Sequence, residues 1–482
     1  MKLYTRQIIP EPFSSESRPG QYLLNENDKF LVGFSTLDGK QKCELQGLWN
    51  RFTCGAGKIV FEDSCGLNAF CGVMGEAVCE PCPASEKYVL CITENGISIA
   101  ANDTQGFIYA FYTLLQLIIP TRENQFLLPC VKVSDRPALT VRMIHFCVFP
   151  ETDLMLIEKA IRLAGFLKFT HVILEFWGTF RYGCMKELSW PEHSYTAEEL
   201  KPLIDLIRAL GMEPVPMLNH LGHAAQAREC FGRHVVLDQN PAKALLFEPD
   251  GWTWCVTNPE SLELLRKMRA ELTAFFGPGE FFHLGCDESR SFASCCYCRE
   301  HEQHELFASY LNSITEELAA AGRRPIIWGD QLLEKEKWQN IGVKLDLSQT
   351  KGQTTHLAIP RLDKRIIIAD WQYSADVPNL PSSLFFKEQG FDVLTAPWDK
   401  PSNIHALAQT AKDNALFGML ATTWDHLPRY VYKMDVSATA GWCGKEAEYH
   451  CLSTEMASIV RRIMPYPHEY RRCGWNSFEI SE

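Results

Sequence analysis

The chain has little of what membranes and nucleic acids demand. No apolar run reaches the roughly 18 residues that cross a bilayer; the best candidate, Phe107 to Pro120, contains Gln116 and ends in a proline. The N-terminus, MKLYTRQIIPEPF, lacks the apolar core and small-residue cleavage site of a secretory signal. Positive charge is in short supply: 47 Lys and Arg stand against 59 Asp and Glu, a net −12 over 482 residues. An acidic surface repels phosphate backbones, so neither nucleic acid nor a membrane is an expected partner. Internal repeats and low-complexity tracts are missing, and 46% apolar with 22% charged residues excludes wholesale disorder. Cysteine is abundant instead. Nineteen of them, an odd number without an export signal, suggest reduced, buried thiols and a cytoplasmic location.

Two regions differ in rhythm. Residues 1 to about 135 carry short β-like runs (Phe30–Phe34, Lys58–Phe61, Tyr88–Ile92, Ile97–Ala100), then one strong helical pattern from Gly106 to about Ile119. There Phe107, Ala110, Phe111, Leu114, Leu115 and Ile118 recur at three- and four-residue intervals and share a face. Strands followed by a helix predict a small α+β domain, bounded near Ser134-Asp135-Arg136-Pro137. From Arg142 the pattern alternates apolar β runs with amphipathic helices. The runs are Arg142–Val148, Thr170–Phe176, Met212–Leu218, Glu280–Gly285, Arg324–Gly329, Arg365–Trp371, Phe391–Pro397 and Phe417–Thr423. Between them, helices are predicted at Asp153–Lys168, Ala197–Leu210, Pro259–Phe275, Gln303–Ala321 and Asn403–Ala415. Eight largely apolar runs fit a (β/α)8 TIM barrel over residues 136–435. No glycine-rich phosphate loop follows the first run, which counts against a dinucleotide fold. Leu332–Leu362 reads as an elaborated loop, and residues 436–482 as a helix and tail packed on the barrel.

A barrel places its chemistry where the strands end. The fourth run ends in His283-Leu284-Gly285-Cys286-Asp287-Glu288. Two adjacent carboxylates repel, which raises one pKa and suits a general acid. The competing reading is that Asp287 caps the next helix while Glu288 is solvated. Trp328, Trp371, Trp398 and Trp424 end the next four runs and would line one cup. An aromatic cup beside paired acids points to sugar chemistry, with a small glycan or glycoconjugate as substrate. No cofactor is expected.

These residues carry a resemblance to family 20 glycoside hydrolases, the β-N-acetylhexosaminidases. His283 to Glu288 is similar to that family's His-x-Gly-Gly-Asp-Glu signature, with Cys286 replacing one glycine. The passage from Ile97-Ser98-Ile99-Ala100 through Gly106-Phe107 to Thr113–Leu117 resembles the end of its accessory domain. Asp135-Arg136-Pro137 with Arg142 resembles the lead into its barrel, and Gly222-His223 its Pro-Gly-His. The resemblance implies a retaining mechanism in which the substrate's own 2-acetamido oxygen attacks C1 to give an oxazolinium ion. It also implies that Asp287 orients the acetamido nitrogen, while Glu288 protonates the departing oxygen and then activates water. His223 would support the acids. Trp328, Trp371 and Trp424 would enclose the acetamido group. Arg142 would hold sugar hydroxyls, or alternatively form a barrel-end salt bridge.

The sequence departs from the family at several strand ends. After the second run stands Glu175-Phe176-Trp177-Gly178-Thr179, without the family's aspartate pair, and Asn219-His220-Leu221 precedes Gly222. Asp399 follows Trp398 where many members place an acetamido-binding tyrosine, a hydroxyl that Tyr373 could supply. His426, with Asp425 beside it, occupies the place of the family's acid for distal hydroxyls. A divergent sugar preference is expected. Two other classes stay open: a sugar-binding barrel that has lost catalysis, and a conventional glycosidase using a second acid such as Glu175 as nucleophile. Cys295, Cys298, His301 and His304 form C-x2-C-x2-H-x2-H, too compact for an ordinary zinc finger; no metal is expected, and no H-E-x-x-H occurs.

Overall fold

The computed structural model describes residues 8–33, 36–61, 69–73, 82–84, 87–227, 232–424, 427–445 and 454–464. The N-terminal part is a mostly antiparallel sheet of β1 (Ser14–Leu24), β2 (Lys29–Val32), β3 (Lys58–Phe61), β4 (Ala69–Val73), β5 (Tyr88–Thr93), β6 (Gly96–Ala101), β7 (Ile119–Pro120) and β8 (Phe126–Asp135). Its order is β1-β8-β5-β6-β4-β2-β3, with β7 paired to β8. Two helices belong to this layer, α1 (Gly39–Thr53) and α2 (Thr104–Leu117). Helix α2 is the one the periodicity predicts. All its residues from Gly106 to Leu117 are buried because it has the sheet on one side and the barrel on the other, where Tyr112 stacks on Phe166 at 5.1 Å. The sequence reading missed α1. Yet Asp38 and Gln41 form a capping box, and Leu45, Leu48, Trp49 and Phe52 are buried at helical spacing.

The second part is a closed parallel barrel of β9 (Val141–Val148), β10 (His171–Phe176), β11 (Glu213–Met217), β12 (Phe281–His283), β13 (Arg324–Trp328), β14 (Ile367–Trp371), β15 (Asp392–Ala396) and β16 (Gly418–Ala421). Closure pairs β16 with β9 through Gly418 with Val141 and Met419 with Arg142. Met143, Ile173, Val215, Ile326, Ile367, Leu394 and Leu420 are among the side chains that fill the interior, so the barrel is a packed core rather than a channel. Around it lie α3 (Leu154–Phe166), α4 (Ala197–Ala209), α5 (Pro259–Phe276), α6 (Gln303–Ala320), α7 (Lys335–Trp338), α8 (Pro381–Glu388), α9 (Pro401–Asp413), α10 (Val431–Cys443) and α11 (Thr454–Ile463). The span Leu332–Leu362 starts at the end of a 3-10 stretch, Asp330–Leu332, and otherwise contains the short α7 and a second 3-10 stretch, Thr355–Arg361. Among the described residues no helix is long and apolar enough to cross a membrane.

The two parts meet at the N-terminal end of the barrel, and this corrects the role expected of Arg142. The second residue of β9, Arg142 lies at the opposite end of that strand from the mouth. Its guanidinium donates to the carbonyls of Leu139 (2.5 Å), Thr140 (3.1 Å) and Lys168 (2.7 Å) and to the Tyr109 hydroxyl (3.1 Å). It also lies 4.9 Å from the Trp442 ring centre. Nearby, buried Lys168 donates to Asp135 at 2.9 Å, and Trp442 Nε1 reaches the other oxygen of Asp135 at the same distance. Arg142 is thus a buried junction strut that no sugar reaches. Its acceptors are carbonyls and one hydroxyl, with no carboxylate among them, so the salt-bridge alternative does not describe it either.

Candidate active site

At the C-terminal mouth a cavity of about 260 Å³ is lined by Phe149, Trp177, His223, Asp287, Glu288, Trp371, Tyr373 and Trp424. They come from the ends of six of the eight strands or from the loops that follow them, as the barrel architecture requires, with Asp287 and Glu288 sharing β12 and Trp371 and Tyr373 sharing β14. Asp287 and Glu288 follow β12 in a non-helical turn. Cys286 and Glu288 adopt left-handed backbone angles, φ 75° and 46°, which side chains other than glycine rarely take. Neighbours hold the turn in place. The Glu288 amide donates to Asp330 Oδ2 at 2.9 Å, and its carbonyl accepts from Trp252 Nε1 at 3.1 Å. Two glycines make room. A Cβ on Gly222 would lie 2.0 Å from the Asp287 carbonyl oxygen, and one on Gly285 (φ 65°) 2.1 Å from Asn219 Oδ1. No α-helix begins at this turn, so Asp287 is not a helix cap.

The electrostatics centre on His223. Its Nε2 lies 3.3 Å from Asp287 Oδ2 and 3.5 Å from Glu288 Oε2, with its ring 4.6 Å from Trp252 and 5.6 Å from Trp177. Burial alone would lower the imidazole; Asp287, Glu288 and Glu175 outweigh it and hold the pKa at about 9. Near neutral pH the acids therefore share an imidazolium. Glu288 also meets Arg290 at 3.3 Å. Asp330 is pushed up to about 6 by burial and by the charge of Asp287, against hydrogen bonds from Ser348, the Glu288 amide and Gln331. Among the lining residues Asp287 Oδ1, Trp177 Nε1, Trp371 Nε1 and His223 Nδ1 are buried without hydrogen-bond partners, one acceptor and three donors. Trp424 Nε1 donates to the Tyr373 hydroxyl at 2.6 Å, and burial raises that phenol.

Of the residues singled out from sequence, Asp287, Glu288, His223, Trp371, Tyr373 and Trp424 meet in this cavity. Trp328 does not line it. Its side chain points into the barrel core below, 5.8 Å from Trp424 and 4.4 Å from His283. Trp398 stands behind Tyr373 at 5.3 Å, and Asp399 faces Lys433 at 3.5 Å; neither lines the cavity. Asp425 and His426 fall outside the described residues. Glu175 is buried beside the cup with both oxygens engaged, one by Asn219 Nδ2 (2.6 Å), the other by His145 Nε2 (2.9 Å) and Cys147 Sγ (3.6 Å). It is a support that does not line the cavity.

The sequence reading missed Trp177, Phe149, Asp330 and Trp252. The first three sit just past strand ends, where the rule that found Trp371 would also have found them. Trp252 comes from the long loop between β11 and α5, which carries no periodic signal.

Residues 174–429 match the profile described as glycosyl hydrolase family 20, catalytic domain, and residues 5–136 that described as glycosyl hydrolase family 20, domain 2. A lacto-N-biosidase of Bifidobacterium bifidum is 21% identical over 278 residues, covering 54% of this chain and 24% of its own length. A β-hexosaminidase of Akkermansia muciniphila is 24% identical over 290 residues, covering 52% of this chain and 56% of its own. The chain thus spans between about a quarter and about half of the length of these curated relatives. A mutant Streptomyces plicatus β-hexosaminidase, solved in complex with product GlcNAc, shares the fold with a TM-score of 0.66 at 14% identity over 97% of either chain. With more than half of its length inside the catalytic-domain profile, the chain belongs to glycosyl hydrolase family 20.

Proposed function

We propose that the protein removes a terminal β-linked N-acetylhexosamine from a small glycan, by retaining catalysis in which the substrate's acetamido oxygen attacks its own C1. The observation that carries this reading is the unpartnered Asp287 Oδ1, buried in an indole-lined cup beside Glu288. An acetamido N–H is the donor that this oxygen lacks. Once it is bound, the negative charge of Asp287 favours the amide as a nucleophile and stabilises the oxazolinium that forms. Glu288, held at the rim, donates its proton to the departing oxygen; the bond from C1 to that oxygen breaks as the bond from the acetamido oxygen to C1 forms. The same carboxylate then takes a proton from the water that opens the ring. His223 lets two acids stand side by side, since its cation lies 3.3 Å from Asp287 and 3.5 Å from Glu288 and offsets negative charge on the pair. Trp371 and Trp424 supply apolar walls for the sugar face and the acetamido methyl.

The two-carboxylate alternative fares worse, because Glu175 is sequestered by Asn219 and His145. The test is a pair of aryl β-glycosides differing only at C2. Cleavage of the 2-acetamido compound with no turnover of the 2-hydroxy compound is expected; comparable turnover of both would refute the acetamido step. Glu288→Gln should cost about 10²- to 10⁴-fold in kcat/KM on poor leaving groups. Saturable sugar binding without any turnover would favour the binding-only reading.

A further inference from the structure

Away from the cup, the structure gathers four ligand-bearing side chains that the sequence spacing did not group. Cys295 and Cys298 lie on the segment after Glu288, while Glu248 and Cys255 lie on the loop between β11 and α5. One oxygen of Glu248 and the three sulfurs are all within 4.8 Å of one another. Cys255 Sγ is 3.5 Å from Cys298 Sγ and 3.7 Å from Cys295 Sγ. Sulfurs bound about 2.3 Å from one tetrahedral zinc stand roughly 3.8 Å apart, whereas a disulfide would need about 2.05 Å. We propose that Cys255, Cys295, Cys298 and Glu248 form a structural site for a thiophilic divalent cation, zinc first, which clips the two loops together.

Three further observations support the cage. The Cys298 amide donates to Cys295 Sγ at 3.3 Å, the contact by which a C-x-x-C turn stabilises a thiolate. Glu248 is oriented through Oε2 alone, by the amides of Ser294 (3.0 Å) and Cys295 (2.6 Å), while Oε1 is buried without a hydrogen-bond partner. This carboxylate stands among sulfurs, one of which, Cys298, bonds it as a thiol, and a cation would take the place of that proton. Finally, the ligands arrive as two pairs from separate loops, the arrangement that the compact C-x2-C-x2-H-x2-H spacing lacks. The histidines of that motif stay out: His301 is exposed, and neither it nor His304 joins the cluster. The clip fits its surroundings. The loop carrying Glu248 and Cys255 also carries Trp252, whose indole bonds the Glu288 carbonyl. The cation would thus brace the acid-bearing turn while staying outside the reaction.

The full-length protein, purified under reducing conditions from zinc-supplemented cells, should hold about one zinc per chain by mass spectrometry after dialysis. Cys255→Ser, Cys298→Ser and Glu248→Gln should each lower that content severalfold, while His301→Ala with His304→Ala should leave it unchanged. Because a ligand variant can misfold, the wild type gives an independent reading. Cobalt exchange should produce the near-ultraviolet thiolate charge-transfer band and the intense visible bands of a tetrahedral site, with about three fewer thiols open to a thiol reagent than in the metal-stripped protein. A soluble wild-type chain that stays metal-free after equilibration with zinc, gives only an octahedral cobalt spectrum, or shows zinc loss only in the histidine variants would overturn the assignment. Each readout is metal content, cobalt spectrum or thiol accessibility, so it is independent of the reaction proposed for the cup.

Discussion

His223→Gln takes away the cation that contacts both acids of the cup, and its cost can be worked from the structure. The imidazole moves from an ordinary 6.5 to about 9 in the folded protein. That rise corresponds to about 3 kcal/mol of net favourable interaction with Asp287, Glu288 and Glu175, burial already deducted. Its side chain is only 13% exposed, so solvent screening removes little of this. A pKa raised on folding contributes stability that is complete below the unfolded value of 6.5 and lost as pH rises through about 9. The wild type should therefore lose up to about 3 kcal/mol relative to His223→Gln as pH goes from about 6 to about 10. Denaturant unfolding followed by tryptophan fluorescence measures this, using the difference in midpoints at each pH because a chain of this length need not unfold in one step. Two proteins whose midpoints run parallel across that range would refute the charged-histidine account. The alkaline limb of kcat/KM should follow the same titration in the wild type and be absent from the variant.

Arg142→Met removes the donors that serve three backbone carbonyls at the junction of the barrel and the N-terminal sheet. A loss of about 3 kcal/mol or more in unfolding free energy is expected, with KM for an N-acetylated substrate unchanged; a raised KM without loss of stability would place Arg142 at the sugar after all. Gly222→Ala sets a methyl 2.0 Å from the Asp287 carbonyl oxygen. The displaced turn should cost about 100-fold in kcat/KM with the far-ultraviolet spectrum intact. Gly39→Ala, which meets nothing within 4 Å, serves as the neutral control; equal activity of the two variants would show that the close approach is unimportant.

What could be read without coordinates was whatever is written in short-range pattern. Apolar runs alternating with amphipathic helices specify buried parallel strands, and eight of them close a barrel. The strand ends then nominate side chains for the mouth, among them Asp287, Glu288, Trp371 and Trp424. Helix α2 was legible because its apolar repeat is local. Helix α1 was overlooked although its capping box and Leu45-Leu48-Trp49-Phe52 spacing are equally local.

The rest depends on position along a strand and on chain segments far apart in sequence. Arg142 and Trp328 both belong to strands of the right kind. A side chain at a strand's beginning faces the far end of the barrel, and one on its inward face packs into the core, so neither reaches the cup. Periodicity cannot say this, because it fixes a face but not a height. Nor can spacing show that Glu248 and Cys255 stand beside Cys295 and Cys298, or that Asp330 holds the Glu288 amide from 42 residues away. Those meetings arise from the closure of the barrel and the folding of its loops over one mouth. The sequence determined the strands and nominated the paired acids; the tertiary packing decided which neighbours surround them and which candidates lie away from the cup.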